Sequence, residues 1–173
     1  MEIRGPSVLL RPWRHGDEEN LVAHANDREI WRNLTNQFPH PYTRADAQQW
    51  IAHVQSQGEL TENFATVVDS VPVGGIGLKR GTDLRTKTAE VGYWVGRKLW
   101  GRGIATEALQ LLSEYAFREF DFERLEATVI EWNPASFRVL EKAGFEFEAR
   151  QLRAIFKDGR IADGITYRRL RPR

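Results

Sequence analysis

With 173 residues the chain has room for about one domain, and burial of about 70% of the unfolded surface suffices for a self-sufficient core. Its 25 basic and 24 acidic side chains leave a formal net charge of +1, which argues against a dedicated nucleic-acid binder. Cysteine is absent, which excludes disulfides, thiolate nucleophiles and Cys-ligated zinc. No apolar run approaches the ~20 residues that span a bilayer, and the start, MEIRGPSVLLRPW, lacks the apolar segment of a signal peptide. One domain over residues 1–173, in the cytoplasm and away from membranes, is the expectation.

In chain order, Ser7 to Trp13 reads as a strand around Val8, Leu9 and Leu10. Asp17 is placed to cap a helix carrying Leu21, Val22 and Ala25, and a short helix around Ile30, Trp31 and Leu34 follows. Thr35 to Tyr42, with two prolines, reads as a loop. Thr43 with Asp46 three positions on is a weak capping box, ahead of Ala47, Trp50, Ile51 and Val54 at helical spacing. Asn63 to Val68 and Val73 to Lys79 read as a hairpin about Asp69-Ser70-Val71-Pro72. Gly81 to Arg85 is a turn, and Thr88 to Val95 a strand whose Gly92 suggests a bulge or a close backbone approach.

Trp100 to Thr106 opens a long helix with Ile104, Ala108, Leu109, Leu112, Tyr115 and Ala116 on one stripe. Leu125 to Ile130 is a strand, and Pro134 to Ala143 a helix closed by Gly144. Two strands, near Glu146 to Phe156 and Ile161 to Leu170, flank the hairpin signal Asp158-Gly159. The alternation predicts a mixed α/β (α+β) sheet covered by helices.

Two junctions carry chemistry. In the first, Gly101 and Gly103 let the backbone approach a ligand. Amides from Gly101 to Thr106 are then unpaired at a helix start, where the dipole adds positive potential. Arg102 adds a charge and Thr106 a hydroxyl, so the turn suits a phosphate or pyrophosphate. Neither the P-loop nor the dinucleotide fingerprint is present, and a tight helix start that binds nothing is the competing reading. In the second, Asn133, Pro134 and Ser136 sit between strand and helix. Capping alone explains Asn133 and Pro134. The functional alternative is an Asn133 amide bonding an amide-containing ligand, with the Ser136 hydroxyl in the same cleft.

The runs E-V-G-Y-W-V (Glu90 to Val95), W-G-R-G-I-A-T-E-A (Trp100 to Ala108) and N-P-A-S-F-R-V-L-E-K-A-G-F (Asn133 to Phe145) resemble the GNAT superfamily of acyl-CoA-dependent N-acetyltransferases. The match is closest to the branch of ribosomal-protein N-terminal (alanine/serine) acetyltransferases. It covers essentially the whole chain, from L-R-P-W near the start to D-G near the end. The resemblance implies a mostly antiparallel central sheet with a splayed parallel strand pair (Thr88–Val95 and Leu125–Ile130), flanked by about four helices.

It also implies acetyl-CoA as co-substrate and no metal. The family's pyrophosphate motif falls on Trp100, Gly101, Arg102, Gly103, Ile104 and Ala105, continuing to Thr106. Trp100 stands where Gln or Arg is usual, which removes one side-chain contact. Tyr93, Trp94 and Val95 match residues whose backbone pairs with the pantetheine arm as a further strand. Asn133 matches a residue that bonds that arm. Ser136 sits where other branches often carry the Tyr that protonates the leaving thiolate. The segment with Trp31, Phe38, His40 and Tyr42 would line the acceptor pocket, and family habit extends to a homodimer.

Acyl transfer to an amine needs a neutral nucleophile, a polarised thioester carbonyl and a proton for the sulfur. A backbone N–H near Val95 is suited to the carbonyl. An α-amine, with a pKa of about 7.8, is substantially neutral near pH 7.4, whereas a lysine at about 10.4 carries a deficit of roughly 4 kcal/mol. An N-terminal acceptor therefore needs only a weak or water-relayed base. Glu90 is the candidate base or amine-orienting group, with a solvated strand carboxylate as the alternative; Ser136 is the candidate proton donor. His15, His24, His40 and His53 show no metal spacing, and His24 and His53 read as helix-surface residues. Arg168, Arg169, Arg171 and Arg173 read as a solvated strand end, and Lys98 as surface charge or a phosphate contact. The expected activity is acetyl transfer from acetyl-CoA to a protein or peptide α-amine. A small-molecule (polyamine or antibiotic) amine acceptor and a non-catalytic acyl-CoA-binding module are the alternatives.

Overall fold

The computed structural model describes residues 1–57 and 61–173. In chain order the elements are β1 (Ile3–Arg4), β2 (Leu9–Pro12), α1 (Glu18–Ala25), α2 (Arg28–Trp31), α3 (Arg44–Gln55), β3 (Asn63–Val68), β4 (Val71–Arg80), β5 (Thr88–Val95), α4 (Ile104–Glu119), β6 (Arg124–Ile130), α5 (Pro134–Lys142), β7 (Glu146–Lys157) and β8 (Arg160–Leu170). The strands form one sheet in the order β1-β2-β3-β4-β5-β6-β8-β7. Neighbours run antiparallel except β5 and β6, which are parallel, as the family resemblance implies. Among the described residues no helix is long and apolar enough to cross a membrane.

Side-chain alternation divides the core in two. Phe64 of β3 faces α4, in a cluster with Leu10, Ile76, Val91, Leu109, Leu112 and Tyr115. Its neighbour Ala65 faces the other way, into a cluster with Trp13, Leu21, Tyr42, Ala47 and Ile51 from the α1–α3 side. The apolar stripe read along α4 is the buried one. Beyond its C-terminus Arg171 donates to the carbonyls of Phe117 (2.6 Å), Phe120 (2.7 Å) and Phe122 (2.7 Å), which satisfies acceptors the helix leaves open. Arg168 pairs with Glu146, and Arg169 donates to the Ala143 carbonyl. These tail arginines are therefore structural ties, not a free basic end.

Several local expectations are corrected. Asp17 caps nothing with its side chain: its carboxylate accepts two bonds from the buried Arg11 guanidinium, at 2.7 and 2.8 Å, and one from the Arg14 amide. A charge-assisted pair outcompetes a single cap bond. Asp27 is the side-chain cap of α2, while Thr43 and Asp46 do form a capping box on α3. The first hairpin turns tightly on Asp69 and Ser70, both with positive φ, as a two-residue loop prefers. Val71 and Pro72 therefore begin β4, and Pro72 is accommodated at an irregularity between Thr66 and Val67. Gly92 sits in unbroken register opposite Gly77, with no bulge, and a Cβ there would meet nothing within 4 Å.

Glu107, in the first turn of α4, accepts from the Ser7 and Val8 amides at 2.9 and 2.8 Å and from the Ser7 hydroxyl. Burial pushes its carboxyl up, but these bonds outweigh it and hold the group below its ordinary value near 4.5. A depressed folded-state pKa contributes stability above the unfolded value and loses it as pH falls through the folded one. The native chain should therefore lose melting temperature more steeply than Glu107→Gln between about pH 5 and pH 3. Parallel acid limbs would show that the network contributes nothing.

Candidate active site

The parallel contact between β5 and β6 is three rungs long: Thr88 with Arg124, Ala89 with Leu125, Glu90 with Glu126. Beyond Glu90 the strands part. β6 continues against β8 through Ile130, and β5 continues against β4 through Val95. The Gly96 N–H bonds the Val73 carbonyl, on the β4 side. By alternation the N–H and C=O groups of Tyr93 and Val95 point the other way, into the gap. The open edge from Val91 to Val95 is about 16 Å long at ~3.3 Å per residue, with Glu90 at its inner end.

At its outer end lies the glycine turn. Gly101 and Gly103 have φ of 77° and 80°, and a Cβ built at either would meet nothing within 4 Å. The turn is thus a stretch of backbone open to solvent. Gly103 offers α4 no side-chain cap, so the Ile104, Ala105 and Thr106 amides lack helical partners. The acidic residue of that turn, Glu107, is committed to Ser7 and Val8. Arg102 is exposed and Thr106 half-buried beside them. Trp100, 47% exposed, does what its position did not suggest: its indole N–H donates to the Val95 carbonyl at 2.7 Å, fastening the turn to the strand end. His24 is not a plain surface residue either. Its ring lies where a Cβ of Gly96 would be, and burial, then the Lys98 charge, lowers its pKa.

On the α4–α5 side of the gap, the Tyr93 and Ser136 hydroxyls are 2.6 Å apart. Burial pushes the Tyr93 phenol up to about 12, against a smaller opposing effect of the Ser136 bond, so it stays protonated at neutral pH. Local spacing held no sign of this pair, which is 43 residues apart in sequence. The alternation that turns Tyr93 away from Trp94 was the available signal. Asn133 stands at the N-cap of α5 but makes no side-chain cap bond, so its amide is not consumed by capping.

On the opposite face, Glu90 is exposed, in register with Lys79 and Glu126. Glu126 is held by Arg85 and Arg124. Trp94 packs against Gly75 and meets the Phe38 ring at 5.7 Å. Phe38 meets Tyr42 at 5.0 Å, and Tyr42 is buried in the core behind it. Trp31 lies 5.6 Å from His40. Glu90, at the last paired rung of β5 and β6, and Ser136, against Tyr93, thus lie on opposite faces of the sheet, and the loop after α2 packs on the Glu90 face through Phe38 and Trp94.

The family model described as an acetyltransferase (GNAT) domain matches residues 7–146. YjcK, a probable N-acetyltransferase of Bacillus subtilis (strain 168), is 32% identical over 152 residues, 84% of this chain and 84% of that protein. A GNAT-family acetyltransferase from Bacillus anthracis shares the fold with a TM-score of 0.85 at 24% identity, over 98% of both chains. RimL, a ribosomal alpha-N-protein acetyltransferase solved in complex with coenzyme A, does so with a TM-score of 0.84 at 19% identity, again over 98% of both. With the splayed strands and the glycine turn in place, the chain belongs to the GNAT acetyltransferase family and is an N-acetyltransferase.

Proposed function

We propose that residues 1–173 form one catalytic domain that moves an acetyl group from acetyl-CoA directly to the α-amine of a protein or peptide N-terminus. The observation that carries this reading is the open β5 edge, with an anion cradle at one end and a carboxylate at the other. The glycine turn, from Trp100 to Thr106, would hold the pyrophosphate. The Tyr93 backbone and the Val95 amide, with the Asn133 amide, would hold the pantetheine; the Trp94 backbone, expected to join them, faces Gly75 of β4 instead, and the Val95 carbonyl is taken by Trp100. Acetyl-CoA, when bound, supplies the activated acetyl thioester. A Val95 or Tyr93 amide facing the gap is suited to polarising its carbonyl.

Glu90 orients the incoming amine and takes its proton through water. An α-amine asks little of that base, since it is substantially neutral near pH 7.4. Ser136, bonded to the protonated Tyr93, donates toward the departing sulfur and is resupplied by the phenol. Trp31 and Phe38 wall the acceptor side, with Tyr42 backing Phe38.

Thiol release tests this directly, because the protein has no thiol of its own. Peptides with free α-amines should release coenzyme A, with spermidine and an aminoglycoside as comparison acceptors. Glu90→Gln and Ser136→Ala should each lower kcat by at least about tenfold while keeping the thermal shift given by acetyl-CoA. Unchanged kcat in both variants would overturn the residue assignment. Release with spermidine or the aminoglycoside but with no peptide would overturn the α-amine assignment.

A further inference from the structure

On the face where the loop after α2 packs, a cluster of three cations has, among the described residues, one weak carboxylate contact. Lys157, the last residue of β7, is only 2% exposed. Its Nζ lies 3.9 Å from the centroid of the Trp31 ring and 3.5 Å from the Thr35 carbonyl. Among the described residues no carboxylate lies within 4 Å of it, because the adjacent Asp158 pairs with Arg28 instead, at 2.7 Å. Burial lowers the pKa of Lys157, with Asp158 opposing.

Nearby, the Arg32 and Arg160 guanidiniums lie 5.7 and 5.9 Å from the Trp132 ring centroid. Arg32 has only a 3.4 Å contact to the half-exposed Glu29, an arrangement worth little. Arg160 has no carboxylate partner among the described residues. The Trp132 indole N–H is buried and donates to nothing, a state that costs free energy until an acceptor arrives. Trp132 directly precedes Asn133, the N-cap of α5, and Arg32 directly follows Trp31, on whose ring Lys157 lies, so the cluster joins two residues assigned above to the pantetheine and acceptor sides.

We infer that Lys157, Arg32 and Arg160, with the Trp132 N–H, form a subsite for an anionic group on the acceptor, so that the favoured substrates are amines carrying carboxylates, such as peptides with acidic residues behind the N-terminus. This rests on the acyl-transfer reading above and narrows its acceptor. The acceptor brings the counter-charge that Lys157 lacks, and a carboxylate or carbonyl oxygen accepts a hydrogen bond from the orphan indole N–H. The same cations repel polyamines, since like charges brought together at an interface oppose binding.

The test uses the whole chain and four acceptors: Ala-Glu-Glu-Tyr-amide, Ala-Gln-Gln-Tyr-amide, Ala-Lys-Lys-Tyr-amide and spermidine. With saturating acetyl-CoA, kcat/KM for the acidic peptide should exceed that of the neutral one by about tenfold, carried by KM, with the basic peptide and spermidine poorest. Added salt should shrink the ratio. Lys157→Met and Arg160→Gln should each shrink it severalfold; Arg160 is exposed, so its variant serves if the Lys157 variant does not fold. Equal kcat/KM for acidic and neutral peptides, a preference for spermidine, or a ratio untouched in the folded variants would overturn the inference and leave acetyl transfer standing. No thiol release from any acceptor would instead sink the transfer reading. Calorimetric titration with the acidic and neutral peptides then decides the subsite alone: tighter binding of the acidic peptide supports it and equal Kd overturns it.

Discussion

Gly103→Glu should abolish the thermal stabilisation that acetyl-CoA confers on the native chain. Ligand at about 100 times Kd stabilises the folded state by about 2.7 kcal/mol, which for a chain of this length raises Tm by about 5–11 °C. Gly103 has φ of 80°, with open space where a side chain would project. A glutamate there meets no steric wall, but it sets a carboxylate against the unpaired amides of the α4 start, where an anion should dock. The left-handed backbone costs the variant about 1–2 kcal/mol on its own, so the ligand-free Tm also falls by a few degrees. Gly159→Glu separates the two effects. Gly159 has φ of 71° and equal open space at the β7–β8 turn, so that variant pays the backbone cost and keeps the ligand shift. Scanning fluorimetry of the three proteins decides. A full shift in Gly103→Glu would mean that the turn is only a helix start.

Arg11→Met should destabilise the chain by about 3–5 kcal/mol, a fall in Tm of about 6–20 °C. The Arg11 and Asp17 side chains are each 9% exposed and meet through two bonds. Removing the guanidinium strands a carboxylate whose remaining partner is the Arg14 amide. Most of the loss is the penalty of that stranded charge, not the worth of the pair. Arg11→Met combined with Asp17→Leu should therefore recover much of the stability, though not the Arg14 bond. Chemical denaturation measures both; a single-variant loss below about 1 kcal/mol would mean that water reaches the pair.

The glycine turn, the long amphipathic helix and both tight hairpins were legible because each rests on local chemistry, and the splayed strand pair was legible through the family resemblance that the motifs carry. What escaped depends on how the folded chain aims its side chains, whether the partner is near in sequence or far. Asp17 carries every mark of a cap, yet Arg11 on the neighbouring strand claims it. Trp100 reads as a lost phosphate contact, because nothing local shows that its indole reaches back to Val95. Ser136 is visible as a hydroxyl in a helix start, whereas its tie to Tyr93 exists only once α5 packs over β5. Lys157 looks like an ordinary residue before a Asp-Gly turn, and becomes unusual only when the hairpin tip lies on Trp31 and buries it. Residue type, spacing and the family resemblance singled out the candidate residues; the commitments among their polar atoms required the fold.

The gap between β5 and β6 is also an unprotected sheet edge, placed in the middle of the sheet and not at its rim. Exposed edges invite other chains to pair and aggregate, and proteins blunt them with charge, proline or bulges. None of these is used between Val91 and Val95. Here the guard is width. Val91 and Val95 turn their side chains into the α4 core, and Trp94 turns toward Phe38 and Gly75, so the α4 face of the edge is filled and the other face is filled at Trp94, with Gly92 left open. An intruding polypeptide strand would carry side chains to both faces and be refused. A thin, amide-bearing arm without side chains meets no such obstacle, so the fold can leave backbone groups unpaired and still choose what pairs with them.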